Sequence, residues 1–295
     1  MNIVISYLVP SYNHEKYLHL LLESIKLDIE QLNVAAEIII VDDGSIDDSS
    51  SIIKKWTETN KDNIQITYKF QENKGISAVF NTLIDMSAGE YVRICASDDM
   101  IVIGSTQRLL NQFSCKPELL CALADGRVID EAGNTIHESS IEFHGASPSR
   151  LADPKYLIKE LIQRWCVAGP AILIKRSHYD NMRYDESSRI EDFDLFLSLL
   201  EVPDAVTFVN DVVCLYRIHS TNTSKTKNVA QRVGNITSFL SIIDRYIDRG
   251  ILSKYLIPLK YKSRAKICFL QKKYIKCFSN MCISLFFKVK TELKG

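Results

Sequence analysis

Four short polar clusters in the first hundred residues each follow an apolar run. Pro10-Ser11-Tyr12-Asn13 follows residues 3–9, and Asp42-Asp43-Gly44-Ser45 follows residues 37–41. Gln71–Gly75 follows residues 64–70, and Ser97-Asp98-Asp99 follows residues 90–95. Neighbouring carboxylates are hard oxygen donors of the kind Mg²⁺ or Mn²⁺ takes. A lysine at a helix start, Lys74 between Asn73 and Gly75, favours an anion there. Further along, Glu191-Asp192 opens an apolar-faced helix and could accept a proton, and His219 ends an apolar strand. Each group also has a plainer reading. Asp-Asp-Gly-Ser fits a turn with a helix cap, Asn73 and Lys74 fit ordinary capping, and Asp98-Asp99 fits a capped helix start. Glu191-Asp192 fits first-turn acids complementing a helix dipole, His219 fits a core or surface histidine, and Asp194 fits a solvated helix face.

The elements that must hold these clusters alternate. Residues 3–9, 37–41, 64–70 and 90–95 are rich in β-branched and apolar side chains and read as strands. Between them, Leu18, Leu21, Leu22 and Ile25 share one helical face, as do Ile52, Ile53 and Trp56. Ile76, Val79, Phe80, Leu83 and Ile84 recur at i, i+3, i+4, i+7 and i+8. This alternation predicts an α/β fold, a Rossmann-like doubly wound and mostly parallel sheet with helices on both faces. Such sheets bind ligands at the carboxyl ends of their strands, and all four clusters fall there. The second half reads as mixed. Strands are expected at 119–124, 170–175, 205–209 and 212–218, with a loop at 135–154. Helices are expected at 155–164, 177–182 and 192–201 and over most of the remainder.

The chain has 295 residues, 46% hydrophobic, and no formal net charge, which excludes a disordered or low-complexity class. The charge is unevenly placed. Residues 254–295 carry eleven lysines and arginines against Glu292 alone, a local +10 that suits an anionic partner. No Cys-x-x-Cys pairs the eight cysteines, so buried or idle thiols in a reducing cytosol are expected. No apolar run reaches the ~18–20 residues a bilayer span needs, and the start of the chain lacks a signal-peptide pattern.

Six segments, in this order, resemble the inverting family-2 glycosyltransferases of the GT-A fold: VPSYNHEKYL (9–18), IIIVDDGSIDDS (38–49), QENKGISAVFNTLIDMSAGEYV (71–92), ASDD (96–99), RIEDFDLFLSL (189–199) and YRIHSTNTS (216–224). The resemblance implies a GT-A domain over 1–224, with nucleotide-sugar binding in 1–100 and the acceptor side in 101–224. A helical basic extension, 225–295, would follow. It implies a UDP-sugar donor, with Asp42 accepting a hydrogen bond from the uracil ring and Val9 and Pro10 framing the base. Asp43 would brace the loop or reach the ribose. Asn73, Lys74 and His219 would lie near the diphosphate, with Mn²⁺ or Mg²⁺ held chiefly by Asp98 next to Asp99. The family's Asp-x-Asp-Asp pattern aligns with Ala96-Ser97-Asp98-Asp99, so its first acid is missing. Asp192 would be the base that takes the acceptor hydroxyl's proton, and Glu191 would orient it or bind the acceptor. Trp165 would stack on a sugar or pack in the core.

The implied reaction moves a hexose or N-acetylhexosamine onto a polyprenyl-diphosphate-linked or oligosaccharide acceptor of O-antigen or capsule synthesis, with a β-linkage. The implied location is the cytoplasm, peripheral at the inner face of the plasma membrane. There the basic tail of 254–295, interleaved with aromatics, would meet anionic lipid rather than pack as a solvated hairpin. No nucleic-acid recognition motif is present. Rival readings fare worse. Residues 6–20 hold no glycine, against a dinucleotide fingerprint, and Gly-Lys-Ser/Thr is absent, against a P-loop. A sugar nucleotidyltransferase would also want a glycine-rich first loop, whereas a non-catalytic nucleotide-sugar-binding module stays in play because of Ala96.

Overall fold

The computed structural model describes residues 3–164, 166–187, 190–220 and 228–292. Its first part is the expected alternation: β1 (Ile5–Ser11), α1 (Glu15–Ile29), β2 (Ala36–Asp42), α2 (Ser49–Asn60), β3 (Gln65–Phe70), α3 (Ile76–Met86) and β4 (Tyr91–Ile94). All seven positions of β1 are buried, because helices cover both faces of a central parallel strand. The α1 stripe Leu18, Leu21, Leu22 and Ile25 is fully buried, and burial of each such side chain is worth about 1.5–3 kcal/mol. In α3 the stripe is buried from Val79 onward, but Ile76 in the first turn stays exposed.

β5 (Met100–Ile101), α4 (Ser105–Cys115), β6 (Cys121–Ile129), β7 (Thr135–His137), α5 (Ser140–Phe143), α6 (Pro148–Leu151), α7 (Pro154–Arg164), β8 (Ile172–Lys175), α8 (Glu191–Leu200) and β9 (Val206–Arg217) follow. One sheet runs β3-β2-β1-β4-β8-β6-β9-β5, with β7 on β6. β1 to β4 pair in parallel, β8 is antiparallel to both its neighbours, and β6 and β9 are parallel. From β1 the chain steps outward to β2 and β3 and then returns to β1's other side as β4. The β1/β4 seam is therefore the switch point at which loops diverge and leave a crevice.

Several expectations needed revision. The two strands expected at 205–209 and 212–218 are one strand, β9, bent by register shifts opposite Ala124–Gly126. The Asn210-Asp211 break in apolar pattern is a bulge, not a turn. The loop expected at 135–154 contains β7, α5 and α6. Buried Asp125 organises it: its carboxylate accepts from the Gly126 and Ile141 amides and from the Ser139 and Ser140 hydroxyls. α4 was not anticipated, since its buried Thr106, Leu109 and Phe113 are diluted by polar neighbours.

Beneath the seam lies a polar knot. Arg93 of β4, fully buried, donates to Ser105 and Thr106 of α4, to the carbonyls of Pro170 and Val213, and to Asp28 of α1. Tyr7 of β1 donates to the same Asp28 at 2.7 Å. An unpaired buried guanidinium would cost several kcal/mol, so this side chain fixes how α1, α4 and β9 sit around β4.

The hydrophobic core continues into α9 (Val229–Arg249) and α10 (Ser253–Leu270) through Ile242, Ile243, Tyr246, Leu252 and Leu256. α11 (Tyr274–Glu292) folds back on α10, with Tyr261 and Phe287 stacked at 6.0 Å and the Ser284 hydroxyl donating to the Pro258 carbonyl. No helix among the described residues is long and apolar enough to cross a membrane.

Candidate active site

The rim loops at the carboxyl ends of β1, β2 and β4 are laced together. Asn13, left-handed at φ 54°, turns the chain out of β1. Its amide donates to Ser45 Oγ, and its side-chain oxygen accepts from the Ile46 amide. The His14 amide donates to Ser49 Oγ, and His14 Nδ1 lies 2.7 Å from Ser97 Oγ in the loop after β4. Strand register puts Ser11 opposite Asp42, and Asp42 opposite Phe70, so three strands end level. Val9 and Pro10 are buried near the carboxyl end of β1 beside them.

Asp42 is fully buried. Its Oδ1 accepts from the Ser45 amide at 2.8 Å, whereas its Oδ2 has no hydrogen-bond partner among the described residues. A buried, unpaired carboxylate oxygen costs stability, so its place at a rim asks for a donor from outside the chain. Asp43 is differently used. It accepts from Gln71 Nε2 and from the Lys74 and Gly75 amides, so both oxygens brace the loop that carries Asn73 and Lys74 into α3. Gly44, at φ +78°, lets that loop come close: a Cβ there would meet the Asn73 amide nitrogen at 3.0 Å.

After β4, Asp98 Oδ2 lies 2.9 Å from His219 Nε2. Asp99 is buried, and its Oδ1 accepts from the Arg217 amide; burial, and then the neighbouring Asp98 charge, push its pKa well above the ordinary carboxylate value. Arg217, also buried, donates through Nε to the Asp98 carbonyl and through Nη1 to the Asp130 and Glu131 carbonyls. Single ligand atoms of His14, Asp98 and His219 lie within 4.8 Å of one another. Burial lowers the His14 pKa, partly opposed by Asp98, which favours the neutral ring that a cation requires. One carboxylate oxygen and two imidazole nitrogens are a suitable donor set for a divalent metal.

Asp192 is exposed in the first turn of α8, with its Oδ1 accepting from the Phe193 amide at 2.8 Å. The side chain of Glu191, and Trp165, Arg189 and residues 221–224, lie outside the described residues. Asp194 corrects the sequence reading: it is buried rather than solvated, accepting from Arg245 at 2.8 Å and from the Tyr246 hydroxyl. α9 packs over that face of α8, with Phe193 and Phe239 4.4 Å apart at their ring centroids. Sequence reasoning also missed His14 and Arg217 as site residues. Both sit inside segments singled out for other members, VPSYNHEKYL and YRIHSTNTS.

A parallel βαβ half with acids at its switch point, joined to a mixed half that returns a histidine to the same rim, defines a GT-A-type glycosyltransferase fold. The family model described as Glycosyl transferase family 2 matches residues 6–183, and the chain belongs to that family. Escherichia coli chondroitin synthase is 25% identical over 253 residues, 85% of this chain and 34% of that protein. The chain spans about a third of the length of such curated relatives. Among solved structures, Staphylococcus aureus TarS 1–349 in complex with UDP-GlcNAc superposes with TM-score 0.63 at 15% identity, covering 95% of this chain and 89% of that one. A mannosyltransferase from Pyrobaculum calidifontis, solved with GDP-Man and Mn²⁺, gives TM-score 0.61 at 16% identity, covering 94% and 73%.

Proposed function

We propose that the chain is an inverting glycosyltransferase. It would transfer a hexose or N-acetylhexosamine from a UDP-sugar to a polyprenyl-diphosphate-linked or oligosaccharide acceptor of surface-polysaccharide synthesis, such as O-antigen or capsule. The observation that carries the reading is the unpaired, buried Oδ2 of Asp42 on the same rim as the Asp98–His219 pair. The first meets the uracil N–H, and the second marks the diphosphate end. The nucleotide sugars bound by TarS and the mannosyltransferase support the donor class, and chondroitin synthase supports the product class.

In this reading Val9 and Pro10 frame the base, Asp43 holds the Asn73–Gly75 loop in place, and Lys74 and the α3 amino terminus face the diphosphate. Mn²⁺ or Mg²⁺ held by Asp98 and His219 would neutralise charge on the departing UDP. Asp99 and Arg217 hold the Asp98 loop. Asp192 takes the acceptor hydroxyl's proton while that oxygen attacks the anomeric carbon. The carbon–phosphate oxygen bond breaks with its electron pair leaving on UDP, and the new bond forms on the opposite face as a β-linkage. Glu191 orients Asp192 or the acceptor.

The test is UDP release from a panel of UDP-hexoses with Mn²⁺, with and without a synthetic polyprenyl-diphosphate sugar. Asp98→Asn and EDTA should each abolish release, and Mn²⁺ should restore the EDTA-treated enzyme. Donor binding without release under every combination would favour the non-catalytic module instead, a reading that Ala96 motivates.

The reading extends to a partner surface. α11 shows solvent an apolar stripe, Tyr274, Ile275, Phe278, Met281, Leu285 and Phe286, with Ile275 89% and Phe278 71% exposed. Lys272, Lys273 and Lys276 flank one end of it, and Lys288 and Lys290 the other. Apolar side chains bordered by cations suit the headgroup boundary of an anionic membrane, where a lipid-linked acceptor would be presented.

A further inference from the structure

The loop after β4 supplies fewer cation ligands here than the Asp-x-Asp-Asp pattern would. Ala96 offers no oxygen from its side chain, Ser97 Oγ is paired with His14, and Asp99 Oδ1 is taken by the Arg217 amide. Asp98 is the carboxylate of that loop whose oxygen lies with two imidazole nitrogens. Opposite it, the first residue beyond Asn13 brings an imidazole to the same point. His14 and His219 meet edge to face with centroids 5.7 Å apart, and their ligand atoms and that of Asp98 fall within 4.8 Å. The His14 ring is also oriented: Nδ1 engages Ser97 Oγ, the arrangement in which a ligating imidazole uses its second nitrogen on an outer partner.

We propose that His14 is a third protein ligand of the divalent cation, joining Asp98 and His219, and that this shifts the site's preference from Mg²⁺ toward Mn²⁺ and Co²⁺. This rests on the cation reading above. Mg²⁺ prefers oxygen ligands in a strict octahedron and gives up water reluctantly. Imidazole nitrogen favours later first-row metals, with affinity rising from Mn²⁺ to Co²⁺. A set of two nitrogens and one carboxylate oxygen therefore discriminates against Mg²⁺ more strongly than a set of two carboxylates does. An acid is absent from one loop at Ala96, and the His14 imidazole is present on the neighbouring one.

The experiment is pulsed electron paramagnetic resonance of Mn²⁺ bound to the full chain with UDP. It is accompanied by calorimetric titration of Mn²⁺, Co²⁺ and Mg²⁺ in the same buffer. The wild-type spectrum should show modulation from two histidine nitrogens. His14→Ala and His219→Ala should each reduce it to one, with far-UV circular dichroism confirming the fold. His14→Ala should weaken Mn²⁺ and Co²⁺ by about 10-fold or more and Mg²⁺ by much less. A wild-type spectrum with a single nitrogen overturns the inference while leaving the cation reading intact. So does a His14→Ala protein whose Mn²⁺ affinity stays within twofold. Wild-type protein that binds no Mn²⁺ with UDP present overturns both.

Discussion

The backbone amide of Arg217 donates to Asp99 Oδ1 at 2.8 Å, and the same residue's Nε donates to the Asp98 carbonyl at 2.9 Å. One residue at the end of β9 thus grips both acids of the loop after β4 from a distance of more than a hundred positions in the chain. The mixed half of the fold thus sets the position of the loop that carries Asp98.

Arg217→Met should cost about 1–3 kcal/mol of unfolding free energy, because it leaves the part-buried Asp130 and Glu131 carbonyls without their donor. Metal-dependent turnover should fall as well, although Arg217 touches no substrate in the proposed reaction. Its Nε bond to the Asp98 carbonyl makes it a positioning residue. Urea denaturation together with a Mn²⁺ titration separates the two effects. Unchanged Mn²⁺ affinity in a folded variant would remove Arg217 from the site.

Asp42→Asn should separate binding from stability. The substitution keeps an oxygen for the Ser45 amide and replaces the unpartnered, buried carboxylate oxygen with an amide nitrogen. Relief of that desolvation should leave the unliganded protein at least as stable, by up to about 1–3 kcal/mol. Loss of a charged acceptor for uracil should raise the UDP dissociation constant by about 10- to 100-fold, the equivalent of 1.5–3 kcal/mol. Calorimetry with UDP and a thermal melt read both. Equal UDP affinity in variant and wild type would show that Oδ2 serves another group.

Asp192 and Asp194, two positions apart on α8, should behave oppositely. Asp192→Asn is expected to lower transfer by about 100-fold or more, as loss of a general base does, while UDP-sugar binding and melting temperature hold. Asp194→Asn is expected to lose about 1–3 kcal/mol of stability, since Arg245 and the buried Tyr246 hydroxyl both rely on that carboxylate. Single-turnover transfer and denaturation on both variants decide the assignment. Wild-type transfer in Asp192→Asn would send the search for the base elsewhere.

What the sequence disclosed and what it hid divide along a physical line. Period-two and period-3.6 patterns are local, so β1 to β4 and their helices could be read directly, and with them the level at which Asp42 and Asp98 emerge. Pairings across the chain are not local. Arg93 with Asp28, Arg217 with Asp99, and Asp194 with Arg245 join residues 65, 118 and 51 positions apart, and no periodicity encodes them. Asp194 looked solvated because a helix face is assigned by the acids on it, whereas α9 decides which face is covered. His14 was passed over for a related reason. A polar residue at a helix start is ordinary, and only the return of β9 brings His219 against it.

The exposed stripe of α11 should bind anionic vesicles through insertion and charge together. Removing residues 254–295 is the wrong probe, since it takes buried Leu256 and Ala265 out of the core and would unfold what it tests. Substituting Ile275, Phe278 and Leu285 with serine touches only side chains that face solvent, so melting temperature and UDP affinity should be unchanged. Flotation with phosphatidylglycerol vesicles should fall by about 10-fold or more, because each buried CH₂ contributes ~0.8 kcal/mol and three large side chains are lost. Lys272→Glu with Lys276→Glu should weaken binding at low salt and matter little at high salt, since each lysine near such a surface is worth ~1 kcal/mol and is screened within a Debye length. If instead the serine variant floats like the wild type but runs smaller by light scattering, the stripe is a contact between two copies of the chain and the membrane reading is wrong.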